Sequence, residues 1–329
     1  MYEVTAEQRR IQQALWAAAP PPDHTVEVQL NVEGDAAELA ELAYEWAVQL
    51  TRALAPAADM AKLPVVEGTA LKRLKPGDEY VTARVERERR TTRVLSDKGL
   101  AWLRAELADM PREVHLTFAR VSGGGRPVGG PQYLAISPVE RSPGWLRLSG
   151  YLRESAFTDP ATQRKWLTAL CSVADLANPG YGQIAYYRGM GETAIENTMN
   201  PHVPGFVNAR RDSDQTIGRS REILRGHDWL TIVPEELAAK LGGASALAAT
   251  GAFAEVRALD RGGVALLATP TFQDYDLAAA EGPFRALAPV LPPGRPMLLE
   301  QPPWMPPPYV IDQDPSGRIS GAMRPVLGD

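Results

Sequence analysis

Residues 25–54 read TVEVQLNVEGDAAELAELAYEWAVQLTRAL, and the fold class follows from them. The first eight, 25–32, alternate branched and polar residues, which is the two-residue period of a strand. Gly34 breaks that run. Asp35-Ala36-Ala37-Glu38 then has the spacing of a helix N-cap with its reciprocal glutamate three residues on. Leu39, Leu42, Ala43, Trp46, Leu50 and Leu54 recur at steps of three and four, a stripe able to cover a sheet face, until Pro56 interrupts it. The unit is strand, turn and covering helix.

Further along, residues 57–78 mix Pro, Gly and both charge signs and read as a loop, with a short strand at Leu63-Pro64-Val65-Val66. YVTARVERERRTTRV, residues 80–94, alternates as one or two strands, and Arg87-Glu88-Arg89-Arg90 marks a solvated turn or edge. Leu95, Leu100, Leu103 and Leu107 predict a second helix, capped near Ser96 or Asp97, ahead of strands at 113–121, 131–137 and 144–152. Asp159-Pro160 opens a helix in which Trp166, Leu170, Cys171, Val173 and Ala174 share one face. Asn178-Pro179-Gly180 stops it, and 182–187 returns as a strand. Strand, helix, strand over 144–187 echoes the order near 25–85, which suggests a duplicated two-layer unit. The expected class is α+β, mostly antiparallel sheets covered by helices. The expected parts are an N-terminal half over 1–110, a second half over 111–293, and a proline-rich tail over 294–329 that forms an extended strap or is partly disordered.

Composition narrows the function. The charge is −5, from 35 basic and 40 acidic residues, so no field draws the chain towards phosphate backbones, and nucleic acid is not an expected partner. Cys171 is the single cysteine, which rules out a disulfide within the chain, and it is read as a buried core thiol. The four histidines lie far apart, so no metal set is expected, and no cofactor fingerprint is present. The first twenty residues lack the basic start and continuous apolar run of a secretory signal, and no later stretch reaches about 18 uncharged apolar residues. A cytoplasmic protein without membrane insertion is expected.

Three stretches invite a site. The glycine-rich run 122–130 fits neither dinucleotide nor phosphate-loop spacing and joins two strands, so it reads as a hairpin connection. His227-Asp228 resembles a base and its orienter, but adjacent side chains do not naturally face each other and no nucleophile elbow accompanies them. Tyr181, Tyr186, Tyr187 and Arg188, with Arg210, Arg211, Asp212 and Asp214, form a set able to hold a polar group by planar guanidinium contacts. A surface or structural salt-bridge role is the plainer reading of that set. Its irregular surroundings, residues 188–226, are nonetheless expected to supply the recognition surface, because loops on a rigid sheet display polar groups.

Asp228-Trp229-Leu230-Thr231-Ile232-Val233-Pro234-Glu235-Glu236-Leu237, followed by Lys240-Leu241-Gly242-Gly243, pairs a Trp-hydrophobic strand with a Pro-Glu-Leu helix and a Leu-Gly-Gly turn. In these features the chain resembles the bacterial type VI immunity family. The resemblance continues through the hairpin at 253–269, Ala268-Thr269-Pro270 and Ala286-Leu287-Ala288-Pro289-Val290-Leu291, and extends to Trp145–Gly150 and Gly180-Tyr181-Gly182. It implies an α+β fold and a non-catalytic protein that binds a protein partner, such as a cognate toxin, without cofactor or metal. None of the matched residues is catalytic; they are cap, turn and core positions. An enzyme acting on a small polar substrate, and an assembly factor of a secretion or contractile system, are the alternatives.

Overall fold

The computed structural model describes residues 22–56, 58, 72–189, 191–199, 213–298, 301–302 and 304–317. The strand expected at 25–32 is β1 (Thr25–Glu33), and it lies inside a ten-stranded sheet. Around it stand β2 (Glu79–Glu86), β3 (Arg90–Val94), β4 (Glu113–Val121), β5 (Pro127–Pro138) and β6 (Trp145–Arg153). On its other side stand β7 (Tyr181–Tyr186), β8 (Leu230–Val233), β9 (Glu255–Ala258) and β10 (Val264–Leu267). The order is β3-β2-β4-β5-β6-β1-β7-β8-β10-β9, and every pairing is antiparallel. β1 is inserted between β6 and β7, so the first described strand lies between two strands from the middle of the chain. The expected strand at Leu63–Val66 lies outside the described residues.

Alternation gives the sheet two unlike faces. Val26, Val28, Leu30 and Val32 of β1 meet Leu152, Gly150, Leu148 and Leu146 of β6, and this face is fully apolar and buried. Three helices cover it: α1 (Ala36–Leu54), α2 (Asp97–Ala108) and, after the short α3 (Glu154–Phe157), α4 (Pro160–Ala174). Asp35 caps α1 as expected. Its Oδ1 accepts from the amides of Ala37 and Glu38, both at 2.9 Å, and Glu38 Oε2 accepts from the Asp35 amide at 3.0 Å. A cap of this kind stabilises a helix by about 1 kcal/mol. Trp46 and Trp166 are wholly buried on this face, each large apolar side chain contributing roughly 1.5–3 kcal/mol. The indole of Trp166 rests directly on Gly150, where an added Cβ would lie 2.5 Å from its Cζ3.

Beyond β7 the elements are shorter. Pro234 leads into α7 (Glu235–Lys240), after two brief helices described next, and α8 (Gly243–Ala249) follows Gly242, whose φ of +85° suits glycine. The hairpin β9–β10 and α9 (Leu277–Leu287) complete this end. The segment 188–226, patternless in sequence, contains α5 (Ala194–Met199) and α6 (Ser213–Ile217). Helices of six and five residues are too short for a 3.6-residue period to declare itself. No described helix is long and apolar enough to cross a membrane.

Candidate functional site: the polar face of the sheet

The second face is polar, and its centre is sealed. Glu27, Gln29 and Asn31 of β1 are each 0% exposed. Register places Glu27 between Tyr151 and Ala185, Gln29 between Ser149 and Gln183, and Asn31 between Arg147 and Tyr181. α5 and the residues leading into β8 lie over this grid. Arg225, from that lead-in, drives its guanidinium into it. Nε and Nη2 pair with Glu196 Oε1 and Oε2 at 2.9 and 2.8 Å, Nη1 donates to Asn31 Oδ1 at 2.6 Å, and Nη2 also donates to Gly191 O at 2.8 Å. The Tyr181 ring lies 5.2 Å beneath the guanidinium carbon. Thr193 closes the cluster, its amide donating to Glu196 Oε2 at 2.8 Å and its hydroxyl to Arg225 O at 3.0 Å. A buried pair so thoroughly hydrogen-bonded holds the covering segment to the sheet.

Glu27 has no such partner. Gln183 Nε2 approaches Oε2 at 3.5 Å, while Oε1 is buried with no hydrogen bond. Burial pushes its pKa up to about 7, opposed by the charge of Arg147. Asn31 Nδ2 and Ser149 Oγ on the same grid also lack partners.

Towards β5 and β4 the same face opens. Tyr151 is half-buried beside Glu27, and Tyr133 of β5, 41% exposed, stacks on it at 4.6 Å and 23°. Tyr187, 37% exposed, meets Tyr151 edge-on at 5.2 Å. Beyond the tyrosines lie the exposed Thr117 and the half-buried His115 and Arg84. His115 Nε2 is 2.9 Å from Glu113 and Arg84 is 3.2 Å from Glu86. The covering helices α1, α2 and α4 lie on the opposite face, so three ordered tyrosines form a shelf at the edge of the sealed network.

The sequence-derived set is divided by this geometry. Tyr181 lies in the sealed network, its hydroxyl donating to Gln183 at 3.0 Å. Tyr187 belongs to the open shelf. Tyr186 points to the other side of β7, as alternation requires, and its hydroxyl donates to Glu154 at 2.6 Å. Asp214 lies 3.7 Å from Arg147, and its backbone carbonyl accepts from the Ser142 hydroxyl at 2.6 Å. Arg210, Arg211 and Asp212 lie outside the described residues. Arg188 turns away from the network to the tail, donating to the carbonyls of Pro306 and Pro307. Sequence reasoning missed Glu27, Gln29, Asn31, Glu196 and Arg225. The only signal for the first three was the strict alternation of 25–32, which does not say whether a polar face is wet or covered.

His227 and Asp228 are buried but not bonded to each other. The Tyr275 hydroxyl is 3.4 Å from His227 Nδ1, and Asp228 Oδ1 accepts from the Trp229 amide at 2.9 Å. Burial alone lowers His227 to about 4; burial also pushes Asp228 up to about 6, opposed by the charge of Arg188 and the hydrogen bond from the Trp229 amide. Cys171 is buried too, its thiol pushed up to about 11 by desolvation. Among the described residues no group of three His, Cys, Asp or Glu is arranged to hold a metal ion.

Fold and site together define an antiparallel α+β protein whose sheet is apolar under helices on one face and polar, half sealed and half open, on the other. No family model matches the chain, and no curated protein matches it. Among solved structures it is similar to the Pseudomonas aeruginosa T6SS protein PA0821, with a TM-score of 0.48 and 13% identity over 89% of this chain and 86% of that one. Likeness at that level assigns neither a family nor an activity.

Proposed function

We propose that the chain is a non-catalytic binding protein that holds a protein partner on the shelf of Tyr133, Tyr151 and Tyr187. The observation that supports this reading is the shelf itself. Two tyrosines with more than a third of their surface exposed are fixed by ring contacts on a rigid sheet. Tyrosine is enriched among residues that dominate binding energy, since it offers a large amphipathic area with little rotamer freedom to lose. The polar residues of β2 and β4 beside it suit a hydrated rim. A stable complex would bury roughly 1,200–2,000 Å² in total, more than the shelf alone offers, so the contact would extend over neighbouring strands. The finer reading is an immunity protein that neutralises a secreted toxin inside the cytoplasm, for which the support is the resemblance carried by residues 228–243.

A photo-crosslinking residue placed at position 133 of the full chain, expressed in its native cell, tests the shelf. An adduct of discrete mass is expected from position 133 and none from position 164 on α4, a control on the opposite face. Adducts from position 164 with none from 133 would overturn the proposal.

A second reading, an enzyme for a small polar substrate, has Glu27 in its favour, a buried carboxyl that titrates near neutrality as an acid–base group must. Its sealed position argues for a structural part instead, because a substrate would have to displace the segment that Arg225 pins.

A further inference from the structure

Where β7 ends, the chain's own tail is seated in a cleft. Arg188 donates Nη1 to Pro306 O at 3.2 Å and Nη2 to Pro307 O, so one guanidinium reads two successive main-chain carbonyls. Proline offers a carbonyl but no amide hydrogen, and arginine offers only donors; the pairing is complementary. Tyr309 packs edge-on against Tyr275 at 5.8 Å and lies 6.3 Å from Tyr186, while Val310 and Ile311 are buried behind it. Arg295 clasps Asp312 with two hydrogen bonds of 2.7 and 2.6 Å, and Asp314 Oδ1 accepts from the Gly294 amide at 3.0 Å. Tyr309 has φ of +42°, the only non-glycine positive φ among the described residues, a backbone that an unseated peptide would leave.

We propose that this cleft is a binding site for extended proline-rich peptide, occupied in cis by residues 304–311. The three elements of such recognition are present: aromatic walls, a donor for unpaired carbonyls, and a ligand whose prolines pre-order it. The tail does not saturate the site. Arg188 Nε is buried without a hydrogen-bond partner, so a peptide presenting one more acceptor has donor capacity left to use. The cleft is separate from the tyrosine shelf, and the proposal stands or falls independently of what the shelf binds.

The test uses a fluorescent peptide with the sequence of residues 304–317, WMPPPYVIDQDPSG, added to the full chain. In the wild type the tethered tail competes at an effective concentration of about millimolar, so binding in trans is weak. Tyr309→Ala with Ile311→Ala weakens the tail and leaves the cleft intact; the peptide should then bind at least tenfold more tightly than to the wild type. Adding Arg188→Lys, which keeps the charge and loses the fork, should reverse at least tenfold of that gain. No saturable binding by a tail-weakened chain with wild-type near-ultraviolet circular dichroism would overturn the proposal. So would binding indifferent to Arg188. If the tail-weakened chain loses its tertiary signal, the peptide with a photoreactive residue in place of Tyr309 is applied at millimolar concentration to the wild type. Adducts at 186–188 and 272–276 support the cleft, and adducts elsewhere or none overturn it.

Discussion

At the scale of single residues, Glu27 couples the fold most directly to pH. Its folded pKa is raised from 4.5 to about 7, so between those values the native state holds a proton that the unfolded chain has released. Stability therefore falls as pH rises across that window, and above pH 7 the loss amounts to roughly 3 kcal/mol. Asp228, raised from 3.8 to about 6, acts in the same direction over its own window. His227, lowered from 6.5 to about 4, acts oppositely, since the unfolded state binds the extra proton and stability rises with pH from about 4 to 6.5. Glu27→Gln isolates the first effect. The variant should match the wild type near pH 4 and exceed it by up to about 3 kcal/mol at pH 8, read by urea unfolding. A difference that stays flat from pH 4 to 8 would contradict the burial of the Glu27 carboxyl. Arg225→Met leaves Glu196 buried and unpaired, and a loss of about 3–5 kcal/mol is expected from the same measurement; a loss under about 1 kcal/mol would mean that the pair is reached by water.

Among the elements, α4 shows how a helix is seated by what the strand beneath it lacks. Gly150→Val would push a branched side chain into the Trp166 indole, and a destabilisation of about 3 kcal/mol is expected by thermal or urea unfolding. Cys171→Ser on the same helix should cost about 1–3 kcal/mol by burying a more polar group and altering the packing, and the native wild-type thiol should label slowly. Fast labelling with unchanged stability would place that face of α4 in water. Such elements were legible in the sequence because they are long and locally capped: Asp35 and Glu38 for α1, Ser96 for α2, Asp159 and Pro160 for α4. α5 and α6 were not, since each is held by contacts far away in sequence. Glu196 on α5 is fixed by Arg225, 29 residues on, and Arg225 by Asn31, 194 residues back. No window along the chain contains both ends of such a bond.

Over the whole molecule, the chain order conceals which strands are neighbours. Alternation in 25–32 assigned two faces to β1 but could not show that β6 and β7 flank it, and this placement is what carries Glu27, Gln29 and Asn31 into the interior. The tyrosine shelf was concealed in the same way: Tyr133, Tyr151 and Tyr187 come from three segments and meet only through the registers of β5, β6, β1 and β7. Tyr187 was singled out by its sequence neighbours, while Tyr133 and Tyr151 carried no local signal. The resulting sheet is one surface with a sealed polar centre and an open aromatic shelf, the seat proposed for the partner. Calorimetry with the partner captured through position 133 tests that division of labour. Tyr133→Ser with Tyr187→Ser should weaken binding at least tenfold, a loss of about 1.4 kcal/mol or more, with the midpoint of thermal unfolding held within a few degrees. Affinity unchanged within twofold in a variant that remains folded would contradict the assignment of the shelf as the partner's seat.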